Sequence, residues 1–179
     1  MARYVAFLRA INVGGHVVTM DALKRHFRSM GFASVETFIA SGNVLFESRV
    51  NDAAKVERTI AAALEKALGY QVAAFVRTTR ELASIAEREP FPRTRLEEST
   101  AFVVGLLAAP LDAAAVRRVM ALRTDIDDFH VDRREIYWLC RTKQSESTFS
   151  NAVFEKAVGA KITFRSMTTI RKMAAKHAG

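Results

Sequence analysis

The chain has 179 residues, half of them hydrophobic, with three prolines and eight glycines; this suits one compact domain or two small subdomains and excludes low-complexity and collagen-like chains. A single cysteine, Cys140, excludes an intrachain disulfide and a thiolate-rich metal site, and places the chain in a reducing, cytoplasmic compartment. The net charge of +8 owes much to six basic residues, with no acid among them, between Lys156 and Gly179; a solvated basic helix face is the plainer reading of such a run, and an acidic or phosphate-bearing partner the sharper one.

Met1 to Val5 lack the apolar core and cleavage site of a signal peptide. Residues 3–11 read as a strand that is apolar on both faces and therefore covered on both. The glycine loop Asn12-Val13-Gly14-Gly15-His16 follows. Thr19 caps a helix with Met20, Leu23, Phe27 and Met30 on one stripe, and Gly31 ends it. A strand near 34–40, the turn Ser41-Gly42-Asn43 and a strand near 43–48 form a hairpin. Asn51 is the expected cap of a second helix, with Val56, Ile60, Leu64 and Leu68 at three- and four-residue spacings and Gly69 at its end. A strand at 71–77 leads into Thr78 and Glu81, a capping-box pair opening a short helix that stops before Pro90. Residues 90–98 read as a linker.

The order then repeats. A strand spans 100–108. The longest apolar stretch, around Ala101 to Leu111, is broken by a glycine and a proline and is too short for a bilayer, so no membrane association is expected. A helix follows with Val116, Val119 and Met120, then strands at 127–132 and 135–141, a helix near 147–158 ending at Gly159, an extended piece at 160–164 and a last helix to 177. The expected fold is α+β, a duplication of ferredoxin-like halves of split βαβ, βαββα order: 1–78, a connecting helix and linker at 79–98, and 99–179 with its basic C-terminal helix.

Several segments resemble DUF1697, a bacterial family of unknown function. They are Phe7 through Gly15, Met20 with Leu23, Gly31-Phe32, Val35 through Phe46, Pro90-Phe91, and Thr163-Phe164-Arg165-Ser166-Met167-Thr168-Thr169-Ile170. In the last segment Ser166 and Met167 stand where the family pattern has asparagine and tryptophan. The resemblance implies an α+β fold and no particular activity.

Read from the residues, the sharpest polar cluster is Arg9, Asn12, Gly14 and Gly15 at the end of the first strand. Glycines let backbone N–H groups approach an anion, and Arg9 can pair with it. The cluster matches neither the P-loop nor the dinucleotide fingerprint, and a turn needing positive φ with Asn12 capping backbone groups explains it too. Ser41 and Asn43 read first as turn residues and second as ligand contacts. Thr163 and Arg165 read as a further anion clamp or, more plainly, as a capping threonine and a solvent-facing arginine. Asp128, His130 and Asp132 share one strand face, but a solvated acidic edge explains them better than a metal. Cys140 reads as a buried thiol beside Trp138. No general base or nucleophile can be assigned, and no cofactor or metal is expected. The favoured function is binding of a small phosphate- or carboxylate-bearing ligand. The alternatives are a nucleic-acid binder stacking bases on Phe7 and Phe46, and a protein–protein interaction module.

Overall fold

The computed structural model describes residues 1–9, 11, 12, 15–39 and 42–177. The chain divides into two units, Met1–Ser84 with Met173–Gly179, and Ile85–Lys172.

The first unit runs β1 (Ala2–Arg9), α1 (Met20–Ser29), β2 (Ala33–Thr37), β3 (Asn43–Ser48), α2 (Ala53–Leu68) and β4 (Ala73–Thr78), after which α3 (Thr79–Glu87) begins. Its sheet has the order β2-β3-β1-β4 with every neighbouring pair antiparallel, the split βαβ arrangement. The central strand explains the apolar run at its start. Tyr4, Ala6 and Leu8 enter a core with Leu23 and Phe27 of α1 and Val56, Ile60 and Leu64 of α2. The alternate residues Val5 and Phe7 are also buried, as are Leu45 and Phe75.

The caps follow local chemistry. The Thr19 hydroxyl accepts from the Ala22 N–H at 3.1 Å and opens α1. The expected cap of α2 was one residue early. Asp52, not Asn51, takes the extended N-cap conformation, and its carboxylate accepts from the Lys55 N–H at 3.1 Å. A carboxylate at that end also meets the positive pole of the helix. Thr78 and Glu81 form the expected reciprocal box: the Glu81 carboxylate accepts from the Thr78 N–H at 2.8 Å, and the Thr78 hydroxyl accepts from the Glu81 N–H at 3.1 Å.

In the second unit the segment read as a linker contains a short helix, α4 (Arg93–Glu97). Pro92 precedes it, so its first turn needs no donor from the proline, and Pro92's carbonyl accepts from both Arg95 and Leu96. Then come β5 (Ala101–Leu106), α5 (Ala113–Met120), β6 (Asp127–Asp132), β7 (Glu135–Cys140), α6 (Asn151–Val158) and β8 (Thr163–Ser166), after which α7 (Met167–His177) begins, its last residues counted with the first unit. The sheet order is β6-β7-β5-β8, again wholly antiparallel. The two units thus share one ferredoxin-like topology. Gly69 and Gly159 close their second helices in the left-handed conformation, at φ of 81° and 70°.

The second core gathers Val103, Val119, Phe129, Trp138, Phe154 and Ile162, and Cys140 is buried within it. One polar group sits at its margin. Asp127, 3% exposed, accepts from Trp138 Nε1 at 2.8 Å, from the Thr124 hydroxyl at 2.8 Å and from the Ser147 hydroxyl at 3.1 Å. Those donors satisfy a carboxylate that burial would otherwise penalise. Gly105 of β5 faces Phe164 of β8, and a Cβ there would lie 2.7 Å from the Phe164 ring. Among the described residues no helix is long and apolar enough to cross a membrane.

Candidate functional site

The loop after β1 and the β2–β3 turn meet in the first unit. Antiparallel pairing sets Phe7 opposite Asn43, so the end of β1 lies beside the start of β3. The Leu8 N–H donates to the Gly42 carbonyl at 2.8 Å. Gly42 has φ +82°, and a Cβ there would lie 3.2 Å from both Leu8 and Ile11. Asn12, Gly42 and Asn43 line one shallow depression. Both asparagine side chains have structural duties. The Asn12 carboxamide oxygen accepts from the Val18 N–H at 2.8 Å, and the Asn43 amide donates to the Phe38 carbonyl at 3.0 Å. The Tyr70 hydroxyl donates to the Ile11 carbonyl at 2.7 Å, and His16 stacks on the Tyr70 ring at 4.1 Å. Gly15 is exposed with φ +82°. Gly14 and Ser41, two of the residues expected here, lie outside the described residues.

Thr163 and Arg165 belong to the second unit, and Arg165 does not face solvent as the plainer reading supposed. Thr163 is 4% exposed and Arg165 9%. The Arg165 guanidinium donates to the Thr163 hydroxyl at 2.7 Å and to the Phe164 carbonyl at 2.9 Å. Burial lowers its pKa to about 10. The first unit carries a counterpart that sequence reading missed. Arg77 of β4 is fully buried and donates to the Val76 carbonyl at 3.1 Å. Arg77 pairs with Val5 of β1, and Arg165 with Val104 of β5, the same place in each sheet. The available signal was an arginine in mid-strand on the alternation of its apolar neighbours, as in Phe75-Val76-Arg77 and Phe164-Arg165.

The acidic face of β6 is neutralised by arginines. Arg95 pairs with Asp128, and Arg88 lies 3.5 Å from Asp132 and donates to His130 Nε2 at 3.4 Å. Among the described residues no group of three or more histidine, cysteine or acidic side chains could hold a metal ion. Beside this face is a cleft of about 290 Å³, bordered by Arg95, Arg123, Asp125 and Arg141, with Ile126 and Leu139 supplying apolar surface. Sequence reading did not pick it out, because its residues come from three separated segments with no motif between them. The aromatics proposed for base stacking are buried: Phe7 is 0% and Phe46 2% exposed.

The family described as "Protein of unknown function (DUF1697)" matches residues 1–137. The chain belongs to this family. No curated protein matches it. Among solved structures, a conserved bacterial protein, SP0830 from Streptococcus pneumoniae, is similar with a TM-score of 0.78 at 20% identity, covering 100% of this chain and 99% of that one. That likeness shows the fold. The DUF1697 match ends before the segment at 163–170, where this chain departs from the pattern expected of the family. There the structure gives Ser166 and Met167 local duties. The Ser166 hydroxyl accepts from the Thr169 N–H at 3.1 Å and caps α7, while Met167 is buried.

A second cavity of this DUF1697 protein, about 100 Å³, lies beside β2 and β3 in the first unit and is bordered by Glu36, Glu47 and His177. Lys176 Nζ donates to Glu36 at 2.5 Å, which holds the Glu36 carboxyl below its usual pKa. His177 Nε2 is buried without a hydrogen-bond partner, 3.9 Å from the same carboxylate. Burial lowers the His177 pKa against the opposing pull of Glu36.

Proposed function

We propose that the protein binds a small anionic molecule, phosphate- or carboxylate-bearing, at the end of β1 in the first unit. The observation that carries this reading is the meeting of the 11–16 loop with the Gly42–Asn43 turn. Arg9 closes β1 opposite Ala73, and in the loop that follows Gly15 is exposed and His16 stacks on Tyr70. Asn12 and Asn43 contribute by fixing the two loops, since their side chains are spent on Val18 and Phe38. Backbone N–H groups in such a loop, with a guanidinium beside them, suit a small anion. The +8 charge favours its approach.

The test is thermal shift and calorimetric titration with inorganic pyrophosphate, nucleotides and sugar phosphates at low and moderate salt. Saturable binding by one of these, weakened at least about tenfold in Arg9→Ala, is the expected result, since a charge-assisted hydrogen bond contributes about 1.5–3 kcal/mol. Equal binding by wild type and Arg9→Ala, or no binding, overturns the reading.

A further inference from the structure

We propose that the cleft beside β6 and β7 in the second unit is a separate site, built for a small zwitterion that carries both a carboxylate and an ammonium group. Its volume of about 290 Å³ sits close to the lower end of ligand pockets, which begin at roughly 300 Å³, and suits a ligand the size of an amino acid.

The charges that line it are of both signs. Arg95 is compensated by Asp128. Asp127 is saturated by Trp138, Thr124 and Ser147. That leaves Arg123 and Arg141 against Asp125 and Glu98. Among the described residues none of these four forms an ion pair, although they share one concavity. Two are positioned by the fold. Arg123 Nε donates to the Met120 carbonyl at 3.2 Å, which leaves the four terminal N–H groups of its guanidinium for a ligand. The Arg141 N–H donates to the Ile126 carbonyl at 2.9 Å, tying the end of β7 to the segment that carries Asp125.

A polyanion would meet the two carboxylates, and a simple cation the two guanidiniums. A zwitterion satisfies both pairs. Its carboxylate takes the N–H groups of Arg141 and Arg123, and its ammonium donates to Asp125 and Glu98. Ile126 and Leu139 lie where an apolar side chain of such a ligand would rest. Apolar amino acids fit this combination best.

The experiment titrates the full chain with the twenty free amino acids, then with N-acetyl and C-terminal amide derivatives of any that bind. An apolar amino acid should bind saturably, and each derivative should bind at least about tenfold more weakly, the loss expected for one charge contact. Arg141→Gln and Asp125→Asn should each weaken binding to the same extent while keeping the far-ultraviolet circular dichroism and the melting temperature of the wild type. Both residues are exposed, so neither change should disturb folding. Arg9→Ala should bind as wild type does, which separates this site from the one at β1. The proposal is overturned if no amino acid binds, if a derivative binds as well as its parent, or if Arg141→Gln and Asp125→Asn leave the affinity unchanged.

Discussion

Gly42 shows how much a single residue carries at the candidate site. Its φ of +82° belongs to the left-handed region, and the Leu8 and Ile11 side chains leave its α-carbon little room for a methyl group. Gly42→Ala should therefore destabilise the protein by about 1–3 kcal/mol, through strain and crowding together. Urea unfolding checks the magnitude, and an unchanged midpoint would mean that the turn relaxes freely. His177 makes a different prediction. Its folded-state pKa lies below 6.5, the ordinary value. As pH falls through that value the unfolded chain takes up a proton that the folded chain resists, so stability falls. Glu36, also lowered, adds a loss that begins only below its ordinary 4.5. His177→Gln should flatten the decline between roughly pH 7 and 5 that this titration causes. A urea midpoint series across pH reads it directly, and the same slope in both proteins would refute the assignment.

At the scale of elements, the ends of helices were more legible than the sites. Thr19, Gly31, Gly69 and Gly159 act where their chemistry placed them. So does the Thr78–Glu81 box that starts α3. Because this box satisfies two N–H groups at once, Thr78→Ala should cost about 0.5–2 kcal/mol, measurable as a drop in melting temperature. Glu81→Gln keeps the side-chain oxygen and should cost less. Where reading failed, a neighbour competed. Asp52 displaced Asn51 as a cap because both side chains can accept, and the choice falls to whichever residue holds the extended backbone just before the first helical turn, here Asp52. The helix at Arg93–Glu97 hid between prolines and charges that also describe a loop. The acidic face of β6 resembled a metal site or a solvated edge because its partners, Arg88 and Arg95, precede it by more than thirty residues.

For the whole molecule, the order of strands and helices was readable because each half repeats the same sequence of periodicities. The sheet order confirms the ferredoxin-like class in both units. Residue-level likeness between the halves is weak in the sequence, yet the fold exposes a correspondence in Arg77 and Arg165, each buried at the same step of the fourth strand. Polar sites were less legible, since they depend on which loops adjoin. Pairing of β1 with β3 brings Asn12 and Asn43 together, and no local pattern announces that. The cleft at Arg141 is the extreme case, assembled from side chains without a motif.

Trp138 is the chain's one tryptophan, and it is packed among Phe129, Phe149, Phe154 and Phe164 in the second unit. Excitation at its red edge therefore interrogates that half alone. The other half absorbs near the tyrosine band through Tyr4 and Tyr70 alone, which the red edge does not excite. The molecule thus carries a built-in optical label that can time the opening of one half without any dye or substitution.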